Sequence, residues 1–147
     1  EPFQRLFLEE LLRLKLEGRE HDAAALCARY KAAIREGRWP IERLAKTERL
    51  QDAPSTYAAK RASKGKRPRS AAYELALASP RDYRAGDQIA YYVTGSKKNV
   101  AVHETAKLAS EWDPNHRDEN VAYYLAKLDS LCRKFGVKEE QQTELAL

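Results

Sequence analysis

Residues 87–95, DQIAYYVTG, carry the strongest strand signal in the chain, and segments of helical period stand on both sides of it. β-Branched and aromatic residues fill the stretch, Gly86 opens it and Gly95 ends it. Three weaker extended stretches accompany it. RLAKTERL (43–50) alternates enough for a short strand, SKKNVAVHE (96–104) stands where a hairpin partner is expected, and AKLASEW (106–112) reads as a further extended piece. On the N-terminal side, Phe3, Leu6, Phe7, Glu10 and Leu14 recur at helical spacing up to Gly18. Asp22 is placed to cap AAALCARYKAAIRE (23–36), which Gly37 closes. Pro54 and Ser55 signal a turn, Arg69–Ala78 a third helix, and Asp113-Pro114 another turn. Asp118 is expected to cap a long last helix, with apolar residues at Val121, Tyr124, Leu125, Leu128, Leu131 and Phe135 and an end at Gly136. The order implies an α+β fold: a helical hairpin, a small antiparallel sheet and a long C-terminal helix. With 147 residues the expected organisation is one domain, divided into a helical hairpin (1–40), a basic middle (41–85) and a sheet with its closing helix (86–147).

Charge is distributed very unevenly along this frame. The chain has 27 Lys and Arg against 22 Asp and Glu, a net of +5. Lys60, Arg61, Lys64, Lys66, Arg67 and Arg69 fall within ten consecutive positions that hold no acid. Without those six, 21 basic residues stand against 22 acidic ones, a net of −1. The entire positive excess is therefore local. A run of this kind is either a solvated charged face or an anion-binding element. Two features favour the second. Gly65 and Pro68 interrupt the cations and let the backbone approach a ligand closely. Arg69 and Ser70 stand at an expected helix start, where free N–H groups and the dipole attract anions, although Ser70 also serves as an ordinary cap. Tyr57, Tyr73, Tyr83, Tyr91 and Tyr92 could stack on bases, but tyrosines in strands and helices are more often half-buried packing residues.

Enzymatic signatures are missing from the sequence. It has no glycine-rich phosphate loop, zinc-ligand spacing, nucleophile elbow or HExxH motif. His21, His103 and His116 lie in three separate segments. Asp113, Asp118 and Glu119 could suggest a two-metal carboxylate group, but two of them sit where turns and helix starts favour acids. Cys27 and Cys132 are far apart in sequence and read as separate thiols of a reducing compartment. No apolar run reaches the ~20 residues of a membrane span, and the acidic, amphipathic start EPFQRLFLEELL is unlike a secretory signal. The chain does not begin with methionine and contains none, so a segment of a longer protein is the expectation.

Four stretches in order, LAKTERLQDAPSTY (44–57), RSAAYELA (69–76), DYRAGDQIAYYVTG (82–95) and SEWDPNHRDENVAYYLAKL (110–128), resemble the C-terminal thumb domain of family B DNA polymerases. The likeness is to the bacterial polymerase II-like and archaeal branches and covers residues 41 to 136; residues 1–40 fit the paired helices with which such thumbs begin. The resemblance implies a non-catalytic role in gripping the primer–template duplex, independent of sequence, during replication or repair in the cytoplasm (the bacterial or archaeal nucleoid). It also implies a palm domain on the same parent chain, where the nucleotidyltransferase chemistry of a DNA-directed DNA polymerase and its Mg²⁺ would reside, with no cofactor in this segment. By position, Lys46, Thr47, Arg49, Tyr57, Arg69 and Ser70 correspond to the DNA-facing surface, and the six clustered cations would meet the duplex backbone. The chain departs from the archaeal pattern in its longer, more basic linker from Tyr57 to Arg69 and in having Ser70 where histidine is common. The basic run by itself is also compatible with an RNA-binding module or with a protein-interaction domain that meets an acidic partner.

Overall fold

The strand over 88–93 is the centre of the molecule because both of its faces are covered. In the computed structural model, which describes residues 1–63 and 69–137, β2 (Gln88–Val93) lies between β1 (Lys46–Arg49) and β3 (Ala106–Leu108) in an antiparallel sheet of order β1-β2-β3. The register pairs Lys46 with Tyr91 and Arg49 with Gln88 on one side, and Tyr91 with Leu108 and Val93 with Ala106 on the other. Tyr92 and Val93 belong to a large core, while Ile89 and Tyr91 belong to a smaller one. That double burial is why IAYYV reads as a continuous apolar run rather than an alternating one.

The large core is built by α1 (Pro2–Leu16), α2 (Ala23–Glu36) and α6 (Val121–Lys134). Each presents residues at helical spacing: Phe3, Phe7 and Leu11; Leu26, Tyr30 and Ile34; Tyr124, Leu128 and Cys132. Aromatic edges set the contacts, with Phe3 against Tyr124 at 6.1 Å and Phe7 against Tyr30 at 5.2 Å between ring centroids. The buried Tyr124 hydroxyl accepts a hydrogen bond from the Val93 N–H at 2.9 Å, joining the last helix to the central strand. The α2 helix ends at Gly37, whose φ of +62° suits glycine. The Arg117 guanidinium lies so close over Gly37 that any β-carbon would overlap it, and it donates to the Glu36 carbonyl at 3.1 Å. A cation is thus held at the negative end of α2. The smaller core gathers Leu50, Ala71, Ala72 and Ala76 against Ile89 and Tyr91.

The α+β class and the long last helix agree with the sequence reading; several local expectations do not. Pro54 starts a helix, α3 (Pro54–Ser63), rather than a turn. Proline suits the first helical position, and the Ala-rich residues that follow propagate the helix. Lys60 and Arg61 accordingly sit in the last turn of α3 instead of in a loop. The expected helix over 69–78 begins at Ala71, giving α4 (Ala71–Ala78), with Ser70 as its cap. Residues 96–104 do not pair with β2. They form a bend and a single turn, α5 (Val102–Thr105), before β3 takes the free edge. The cause is Asn120. Its side-chain amide donates to the carbonyls of Thr94 and Lys97, which draws the chain off the ladder at Gly95. The same side chain accepts from the Tyr123 N–H at 3.0 Å, so Asn120 and not Asp118 caps α6. Asp118 instead accepts from Tyr92 Oη at 2.7 Å and Lys107 Nζ at 2.8 Å. Asp22 likewise makes no side-chain cap bond to α2; its carboxylate takes the Arg19 Nε at 2.8 Å.

Candidate nucleic-acid interface

A strand alternates its side chains between two faces, and this divides the candidates on β1. Lys46 and Glu48 line a cleft of about 340 Å³, which Thr47 and Arg49 do not enter. The cleft lies where β1 meets the start of α4 and the flank of α6. Arg69, Ser70 and Ala71 enter it from α4, Tyr123 and Lys127 from α6, and His103 from α5. Of the residues expected on the DNA-facing surface, three therefore come together: Lys46, Arg69 and Ser70. Lys46 is about half exposed and 3.1 Å from Glu48. Ser70 Oγ accepts from the Tyr73 N–H as the cap of α4, whose start lies at the cleft.

Lys127 completes the set, and sequence reading had passed over it. Its ammonium is 5.1 Å from the centre of the Tyr123 ring and 3.5 Å from a Glu1 oxygen. Burial lowers its pKa, but Glu1 and Tyr123 outweigh that effect and keep the charged form favoured. The signal was available in YYLAKL: a lysine four positions after a tyrosine lies on the same helix face, beside the buried stripe of Tyr124 and Leu128. Two acids, Glu1 and Glu48, share the cleft with its three constant cations.

Tyr57 and Arg61 are directed elsewhere. The Tyr57 hydroxyl donates to Glu74 at 2.6 Å and accepts from the Ser70 N–H at 3.0 Å. Arg61 Nη1 reaches both Glu74 oxygens, at 2.7 and 2.6 Å. The Tyr57 and Tyr73 rings stack at 4.8 Å with 12° between their planes. Burial disfavours ionisation of Glu74, yet the bonds from Tyr57 and Arg61 prevail and hold its carboxyl below the usual range. Burial first, and then the Glu74 hydrogen bond, raise the Tyr57 phenol. These residues clamp α3 to α4. They position Ser70 and Arg69, the latter itself 3.7 Å from Glu74, rather than presenting their polar tips outward. Lys60 is exposed and lies 3.6 Å from Asp52. Lys64, Lys66 and Arg67 lie outside the described residues.

No group of three or more His, Cys, Asp or Glu residues is placed to hold a metal ion among the described residues. No helix among them is long and apolar enough to cross a membrane. No protein-family model matches the chain, and no curated protein matches it significantly.

Proposed function

We propose that this chain grips duplex DNA through its phosphates, without sequence preference and without catalysing a reaction, as the thumb of a family B DNA polymerase. The observation that carries the reading is the convergence of Lys46, Arg69 and Ser70 with Lys127 on one cleft at the start of α4. The sequence places three further cations, Lys64, Lys66 and Arg67, immediately before Arg69. Lysine ammonium groups, an arginine fork and helix N–H donors all suit phosphate oxygens, and none of them selects a base. Such a grip holds any duplex and lets it slide. Thr47 and Arg49, on the other face of β1, would meet DNA only if the duplex also passed that edge. The palm of the parent chain is the expected neighbour and would supply the metal and the nucleotidyl transfer.

The test is the salt dependence of duplex binding. Each phosphate contact contributes about 0.9 to the slope of log K against log[salt]. Arg69→Ala and Lys46→Ala should each weaken binding to unrelated duplexes equally and flatten the slope by about one unit. Unchanged affinity and slope in both variants would remove the cleft from the DNA path. Preference for RNA over the matched DNA duplex would instead favour an RNA-binding module.

A further inference from the structure

Cys27 and Cys132 are 105 positions apart in sequence, yet their Sγ atoms lie 2.7 Å apart inside the large core. Cys27 is fully buried and Cys132 is 4% exposed. One belongs to α2 and the other to α6, so the pair bridges the N-terminal hairpin and the closing helix. The sequence reading treated them as separate thiols; the fold makes them a dithiol. Beside them lies an ion pair between the same two helices, with Lys31 Nζ 2.5 Å from Asp129 Oδ1. We propose that Cys27 and Cys132 form a peroxide-driven, reversible disulfide that fastens α2 to α6.

The geometry requires little movement, since a disulfide bond is about 2.0 Å long and the two sulfurs already face each other. Either S–H can donate to the other sulfur, so a thiolate on one is stabilised by its neighbour; with Cys132 as the thiolate, the nearby Lys31 charge assists as well and the Cys132 pKa is lowered. The Cys132 thiolate attacks one oxygen of hydrogen peroxide and the O–O bond breaks. The released hydroxide takes up a proton to leave as water, and Cys132 becomes a sulfenic acid. Cys27 sulfur then attacks the Cys132 sulfur, the S–O bond breaks, and the oxygen departs as a second water. Two thiols and one peroxide thus give one disulfide and two waters. A resolving thiol at contact distance is the arrangement that diverts sulfenic acid from further oxidation. Peroxide is small enough to enter through local opening between α2 and α6.

The experiment uses the unaltered chain. After exposure to hydrogen peroxide and quenching, it is unfolded in denaturant and its thiols are counted, and a non-reduced tryptic digest is weighed. The expected result is loss of both thiols, with peptides 20–29 and 128–133 recovered as one species lighter by two hydrogens than their sum. Dithiothreitol should restore the two thiols. The oxidised chain should also melt at a higher temperature than the reduced one. In Cys27→Ser and in Cys132→Ser a sulfenic-acid trap should label the cysteine that remains. Two thiols that survive peroxide, irreversible oxidation without the linked peptides, or disulfides only between chains would each overturn the proposal. The wild-type digest decides the matter even if a serine variant fails to fold.

Discussion

The two cores on either side of β2 are made differently. The large one joins three long helices through phenylalanine, tyrosine and leucine side chains with almost no exposure. The small one offers Leu50, three alanines, Ile89 and Tyr91, and beside it stands a polar clamp of Tyr57, Arg61 and Glu74. Apolar area sets the stability of the first. Hydrogen-bond geometry positions much of the second. The difference follows the proposed work: the apolar half is scaffold and lends the cleft Lys127 from α6, while the half joined by directional bonds supplies Lys46, Arg69 and Ser70.

Phe7→Ala should have the largest effect, a loss of roughly 3–5 kcal/mol, because it opens a cavity in the large core. Urea unfolding monitored by far-UV circular dichroism would measure it. A loss below about 1 kcal/mol would mean that the helices are not held together as described.

Glu74→Gln should cost about 1–3 kcal/mol by weakening the bonds to Tyr57 and Arg61 inside a partly buried clamp. Faster amide exchange in α3 and α4, with α1 and α2 unaffected, would separate this local loosening from global destabilisation. Uniform change across all helices would erase the contrast between the two halves.

Gly37→Ala should cost about 1–2 kcal/mol, since φ of +62° strains a side-chain residue and the new methyl displaces Arg117. Adding Arg117→Ala should recover the part that comes from overlap. A double-mutant cycle with no coupling would show that the guanidinium moves aside freely.

The smallest effect concerns acid. The Glu74 carboxyl is held below the ordinary glutamate value of about 4.5, so the native state binds fewer protons than the unfolded chain in that range. Its contribution is complete above about pH 4.5 and declines as pH falls through the lower native value. Wild type and Glu74→Gln should therefore begin to converge in stability below about pH 4.5, meet as pH falls through the lower native value, and differ most at neutral pH. Curves that stay parallel from pH 7 to pH 3 would dissociate the clamp from the Glu74 charge.

Much of this was legible from sequence where order is local. The 3.6-residue period exposed α1, α2 and α6, and β-branched and aromatic composition exposed β2. Local signals failed where one residue serves two roles. Pro54 fits a turn and a helix start equally well, and only the following alanines favour the helix. An acid before a helix is the ordinary cap, but Asp118 is taken by Tyr92 and Lys107, leaving the duty to Asn120 two positions later. The hairpin partner was misplaced because pairing depends on where Asn120 pulls the chain, a contact 23 residues distant at Lys97. In the candidate site, Lys46, Arg69 and Ser70 could be nominated by charge and position. The inward turn of Tyr57 and Arg61 depends on Glu74, 17 and 13 residues further along, and the cysteine contact spans 105. No local pattern encodes such distances.

The pairing of β1 with β2 also has a consequence in time. Lys46 and Arg69 lie on the excursion that runs from β1 through α3 and α4 to β2, and the cleft exists only once that excursion closes. The α1–α2 hairpin, by contrast, needs only a short connection. Chain-closure entropy grows with the length of the intervening loop, so the hairpin can form early and the strand pair must wait. Substitutions in α2 should then slow refolding, while substitutions at Thr47 should mainly quicken unfolding, a division that stopped-flow rates would reveal. A nascent chain would carry its cations for some time before they acquired a common direction.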